Sequence, residues 1–131
     1  MHDIFIVNYT NNLSLLTAYP HAQIVQPMER LALYRHVAAK ASTKHAWVVD
    51  NRYDYSNFDF GYEPLWHQDK QLHVWQSCEI RSGDTCLLNA AEFLRQADTL
   101  EKVQEYQHIC WHTEVDIPLA NTIIQLKCMA G

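Results

Sequence analysis

Hydrophobic positions come in short runs divided by polar turns, and the character of the runs changes along the chain. Ile4-Phe5-Ile6-Val7 is a β-branched and aromatic run that predicts a buried first strand ending at Asn8-Tyr9. Thr10-Asn11-Asn12 offers helix caps, and Leu13, Leu15, Leu16 and Ala18 predict a short helix stopped by Pro20. Ala22-Gln23-Ile24-Val25 reads as a second strand. Pro27 stands where a first helical residue would, and Met28 to Ala41 follows as the longest predicted helix. In it Leu31, Tyr34, Val37 or Ala38, and Ala41 form one apolar stripe. After Ser42-Thr43-Lys44 comes Trp47-Val48-Val49-Asp50, a third strand that ends abruptly in a carboxylate. Strand and helix thus alternate over the first fifty residues. That alternation predicts a parallel sheet with right-handed crossovers, a Rossmann-like half.

The pattern then breaks. From Asn51 to Gln71 aromatic residues are interspersed with Asp, Asn and Gly61, which predicts a long ordered loop with a short strand at Phe58-Asp59-Phe60. Leu72 to Gln76 alternates as a strand, Arg81-Ser82-Gly83-Asp84 is a turn signal, and Thr85 to Leu88 returns, giving a hairpin. Asn89 caps a helix over Ala90 to Gln96, Leu100 to Glu105 predicts a further helical turn, and Gln107 to His112 a last strand. Val115 to Cys128 is open: Ile123-Ile124-Gln125-Leu126 suits a strand or a terminal helix. The expected fold class is α/β, a single domain over residues 1–131. Its sheet is mainly parallel and flanked by helices, with a C-terminal hairpin or mixed-sheet portion.

Composition alters this picture little. A chain of 131 residues with 48% hydrophobic and 19% charged residues suits one globular domain. A net charge of −5 argues against a broad nucleic-acid footprint. No apolar run approaches the ~20 residues of a membrane helix, and Met1-His2-Asp3 lacks the basic start of a signal peptide. The four cysteines, Cys78, Cys86, Cys110 and Cys128, form no C-x-x-C pair and are expected as reduced thiols. Gly61, Gly83 and Gly131 are too few and too scattered for a phosphate-cradling loop, and no G-x-S-x-G or H-E-x-x-H is present.

Candidate chemistry lies in three places. Asp50 is either a carboxylate at the ligand edge of a sheet or the cap of the turn that follows. The loop aromatics Tyr53, Tyr55, Phe58, Tyr62 and Trp66 either stack a base or sugar, bury their own loop, or form a partner interface. His108, Cys110, His112 and Glu114 alternate and would share one face of a strand. Same-face neighbours on one strand stand ~7 Å apart, so a single straight strand cannot close three ligands on one ion. A half-buried strand is the plainer reading. His73 and Trp75 also share a face, with sheet packing as their expected role.

The order of Asp3-Ile4-Phe5-Ile6-Val7-Asn8-Tyr9, Tyr19-Pro20-His21-Ala22, Ser42-Thr43-Lys44 with Trp47-Val48-Val49-Asp50, Ser56-Asn57-Phe58-Asp59-Phe60 and His73-Val74-Trp75 resembles glycosyltransferase-like domains of tailed-bacteriophage proteins, related to nucleotide-sugar transferases of the GT-A type. The resemblance covers roughly residues 3–76 and implies a truncated GT-A-like domain. Catalytic members carry an Asp-x-Asp motif that holds a divalent metal against the sugar nucleotide. Here Asp50-Asn51-Arg52 puts a cation in place of the second carboxylate, and hard divalent ions need carboxylate oxygens. The chain is also short for a separate acceptor-binding portion.

The resemblance and this departure together imply a non-catalytic module without a cofactor. It would be a structural or binding component of a phage virion assembled in the host cytoplasm. Its partners would be proteins, further copies of itself included, and neither nucleic acid nor membrane. The alternative is a small nucleotide-sugar-dependent glycosyltransferase using Asp50 and Asp54, with His112 as a late ligand, around Mn²⁺ or Mg²⁺. A third reading keeps a nucleotide or carbohydrate pocket without turnover.

Overall fold

The strand His45–Asp50 is buried at all six positions, so it must be flanked by strands on both edges and covered on both faces. The computed structural model, which describes residues 1–75, 85–113 and 117–120, shows how that is done. The described elements are β1 (Asp3–Val7), α1 (Ser14–Ala18), β2 (Gln23–Val25), α2 (Arg30–Lys40), β3 (His45–Asp50), β4 (Leu72–Trp75), β5 (Thr85–Asn89), α3 (Ala90–Ala97) and β6 (Ile109–His112). The strands form one six-stranded sheet in the order β2-β1-β3-β5-β4-β6. β1 runs parallel to β2 and β3, and β6 parallel to β4, while β5 runs antiparallel to both of its neighbours. The fold is therefore mixed α/β with a mostly parallel sheet.

Each face has its own core. On one face Phe5, Val7, Val48, Val74, Cys86 and Leu88 meet α2 and α3, with Tyr34 of α2 edge-on to Phe93 of α3 at 5.8 Å. On the other, Ile4, Ile6, Trp47, Val49, Leu87 and Trp75 lie under the loop that follows β3. Here the cover is mostly aromatic: Phe58 and Phe60 stand edge-on to Trp47 at 5.3 and 5.5 Å, and the Trp47 indole N–H donates to the Phe60 carbonyl at 3.0 Å. Edge-to-face pairing suits the aromatic quadrupole and adds to the area buried.

The apolar stripe of α2 lies where its spacing places it, with Leu31, Tyr34, Val37 and Ala38 buried. The helix begins later than Pro27 suggests. Glu29 stops the backbone short of it and caps it, both carboxylate oxygens accepting from the N–H groups of Leu31 and Ala32 at 3.0 and 3.1 Å. Asn89 caps α3 as expected, accepting from Glu92 N–H. In α1 no side chain caps the first turn; Asn12 accepts instead from the backbone and hydroxyl of Ser14. The expected strand at Phe58–Phe60 does not form. Asp59 accepts from Gly61 N–H at 2.8 Å and turns the chain there, so the segment covers the sheet instead of joining it. The expected helical turn after Leu100 is a short 3₁₀ turn at Val103–Glu105. The turn at 81–84, Glu114, and the open segment around Ile123–Leu126 lie outside the described residues. Among the described residues no helix is long and apolar enough to cross a membrane.

Candidate functional site

The chain leaves β1 through α1 to β2 on one side, then returns through α2 to β3 on the other. Ligand crevices of open α/β sheets form at such a reversal, outside the carboxyl ends of the strands. Asp50 ends β3 at that edge, beside Val7 at the end of β1.

Asp50 does not face an open site. Its carboxylate is buried, at 1% side-chain exposure, and Arg52 occupies it completely. Arg52 Nε donates to both carboxylate oxygens at 3.0 and 3.1 Å, its terminal nitrogen donates at 2.5 Å, and its backbone N–H adds a bond of 2.9 Å. The pairing is local because the backbone turns here, with Tyr53 N–H donating to the Asp50 carbonyl. The guanidinium also lies over the Tyr9 ring, 3.8 Å from its centroid. The carboxylate holds Arg52 above its ordinary pKa, so the cation is fixed where a second carboxylate would be needed.

Asn51, between the two, ties the whole edge together. Its side-chain oxygen accepts from the N–H groups of Tyr9 and Thr10 at 2.9 and 3.1 Å. Its amide nitrogen donates to Asn8 Oδ1 and to the carbonyl of Thr10 at 2.9 and 2.7 Å. One buried amide thus fixes the loop after β1, which a carboxylate at the same position could not do because it has no donors. Tyr55 closes the floor. Its hydroxyl accepts from Asp50 N–H at 3.0 Å and sits 2.7 Å from the Thr85 hydroxyl, while burial pushes the phenol far above its ordinary pKa.

Beside this edge is a cleft of about 250 Å³, with Asn12, Tyr19, Asn51, Asp54, Ser56 and Phe58 among its walls. Asp54 is exposed there and turned to Ser56, whose backbone and side chain hold its carboxylate below the ordinary pKa. It makes no common ligand set with Asp50: the three-residue groups close enough to hold one ion include neither, among the described residues.

His112 is elsewhere. β6 is separated from β3 by β5 and β4, three strand spacings or ~14 Å across the sheet. It cannot complete an ion site with Asp50. Instead it meets His73, for which the sequence suggests only sheet packing. Of the loop aromatics, Tyr53 and Tyr55 are buried, and Phe58 and Tyr62 partly so, because they cover the second core; only Trp66 stands out in solvent, 88% exposed. The five cannot therefore all meet a partner as expected: burial removes Tyr53 and Tyr55, and Trp66 alone is fully exposed. In the sequence Asn51 stands only as the residue between Asp50 and Arg52; its hydrogen-bonding role has no signal there beyond its residue type.

No protein-family model, curated protein or solved structure matches the chain.

Proposed function

We propose that this chain is a non-catalytic module of GT-A-like, Rossmann-like design, a binding component that engages protein partners in a phage assembly. The observation that carries this reading is the Asp50–Arg52 pair. Metal-dependent transfer of a sugar from its nucleotide leaves a diphosphate that a hard divalent ion neutralises, and that ion needs carboxylate oxygens open to it. Here the buried carboxylate that ends β3 is already neutralised by a guanidinium from its own chain. Exposed Leu65 and Trp66, on the loop outside the sheet, supply apolar surface that suits a protein contact.

A pocket without turnover has its own support. The cleft beside Asn51 mixes amide and hydroxyl groups with aromatic rings, the lining that holds a sugar or base. Its ~250 Å³ is below the ~300–1,000 Å³ of drug-sized ligand sites, so it suits a single ring better than a whole sugar nucleotide.

The test is thermal unfolding with UDP-sugars, with and without Mn²⁺, since a ligand of the folded state raises the melting temperature. No metal-dependent rise is expected. A rise that requires Mn²⁺ and is lost in Asp50→Ala would overturn the non-catalytic reading. A rise with free monosaccharide or nucleoside alone, without metal, would favour the pocket.

A further inference from the structure

We propose that His73, Cys110 and His112 form a binding site for Zn²⁺ or a similar borderline-soft divalent ion. β4 and β6 pair in parallel with His73 opposite Cys110 and Trp75 opposite His112, so all four side chains share one face. Three donor atoms, one from each of the three ligands, lie within 4.8 Å of one another. This removes the objection to a row on a single strand: the third ligand comes from the neighbouring strand, not from further along β6.

The protonation states suit an ion. His73 Nε2 lies 2.9 Å from the carbonyl of Gln68, which can only accept. The proton of neutral His73 is therefore on Nε2, and Nδ1 turns its lone pair toward His112 Nε2, 2.9 Å away. A ligating histidine held by a backbone carbonyl through its other nitrogen is the usual outer support of a metal site. Burial lowers the His73 pKa and so favours the neutral, ligating form. In a tetrahedral site with Zn–N of 2.0–2.1 Å the two nitrogens would stand ~3.3 Å apart, a small opening from the present separation.

The surroundings fix the rings. His112 stacks on Trp75 with centroids 4.1 Å apart, and Tyr62 stands edge-on to His73 and His112 at 5.5 and 5.3 Å. Cys110 and His112 are half-buried on the β6 strand, which leaves a way in for the ion. On binding, the Cys110 thiol loses its proton to solvent, and His112 carries its proton on Nδ1 so that Nε2 ligates. The third and fourth contacts are then a thiolate and one open position for water or another ligand. Thiolate and imidazole select zinc-class ions, whereas Mg²⁺ and Mn²⁺ prefer oxygen.

Co²⁺, which reports its ligands in its spectrum, tests this on the metal-free full chain, followed by competition with Zn²⁺. One equivalent of Co²⁺ should bind with a thiolate-to-cobalt charge-transfer band, and Zn²⁺ should erase it. Cys110→Ser should remove the band, His112→Ala should weaken binding by at least ~10-fold, and the exposed His108→Ala should change neither. Circular dichroism confirms that each variant is folded, and Cys110→Ser, a near-isosteric change at a half-buried site, answers the question if His112→Ala unfolds. Absence of stoichiometric binding overturns the proposal. So does a thiolate band that persists in Cys110→Ser, since it assigns the ion to another cysteine.

Discussion

The two polar clusters on this sheet solve opposite problems. At the end of β3 a buried carboxylate is neutralised by an arginine two residues on, and no lone pair is left for an ion. Between β4 and β6, residues 39 apart in sequence bring two imidazoles to 2.9 Å beside a thiol, with no cation among them. The first cluster is a completed ion pair. The second is a group of two imidazoles and a thiol whose donor atoms lie within 4.8 Å of one another. The difference shows that a sheet edge with the right carboxylate need not be a metal site, and that donors of ordinary kind become a candidate site when strand order joins them.

The sharpest way to break the contrast is to remove the cation from the first cluster. Arg52→Ala leaves Asp50 buried with one backbone donor, and stranding a buried charge costs about 3–5 kcal/mol. Urea unfolding should show that loss. Asp50→Asn in the same background should recover more than half, because the stranded charge is then gone. If Arg52→Ala is silent, Asp50 is solvated well enough to take a metal, and the contrast fails.

Asn51 comes next. Asn51→Ala takes the side-chain acceptor from the N–H groups of Tyr9 and Thr10, leaving Tyr9 only the Val7 carbonyl at 3.2 Å. A cost of about 2–3 kcal/mol is expected in urea unfolding, with faster hydrogen exchange at those two amides. Asn51→Asp should be no better, since its oxygens would face the Thr10 carbonyl that the amide now serves. A fully tolerated Asn51→Asp would mean that the edge can accommodate more carboxylate than its hydrogen bonds suggest.

How far these clusters are legible in the chain follows from sequence distance. Asp50 and Arg52 are near neighbours, so the cation in place of a second carboxylate is plain in the sequence, and so is the strand that buries Asp50. The strand and helix periods likewise mark β1, β3, α2 and α3 nearly whole, because each rests on local pattern. His73 and His112 show in the sequence only as members of separate strands. Their meeting depends on β6 lying beside β4 instead of adding next to β5, a choice made by packing across the whole sheet. The inward turn of Tyr53 and Tyr55 is equally non-local: it takes the Trp47 face of the sheet to need covering. The place of Asn51 is legible and its task is not, since an amide can serve four partners and the sequence names none of them.

In the metal-free protein the second cluster should be far more forgiving than the first. His112→Ala deletes one neutral hydrogen bond and leaves His73 Nδ1 near the Tyr62 hydroxyl, 3.4 Å away, as a substitute partner. A cost of about 1–1.5 kcal/mol is expected, well under that of Arg52→Ala. Equal costs would mean that the imidazoles are held as tightly as the ion pair and are not poised to open around an ion.

The smallest effect calibrates the ion pair itself. Glu92 and Arg95 on α3 make the same carboxylate–guanidinium chemistry as Asp50 and Arg52, but Arg95 is 65% exposed, against 18% for Arg52. Hydrogen bonding to Arg95 lowers the Glu92 pKa from 4.5 to about 2. A carboxylate depressed in the folded state stabilises the protein fully above its unfolded pKa. That contribution falls away as pH drops from 4.5 toward 2, where both states are protonated. Solvent and salt screen so exposed a pair, so Glu92→Gln at neutral pH should lower the melting temperature by only ~1–2 °C, and high salt should erase even that. The Asp50–Arg52 pair, whose carboxylate is buried, should keep most of its contribution in the same salt. If both pairs faded together, burial would not be what closes the β3 edge, and the guanidinium there would be a displaceable guest instead of a fixed occupant.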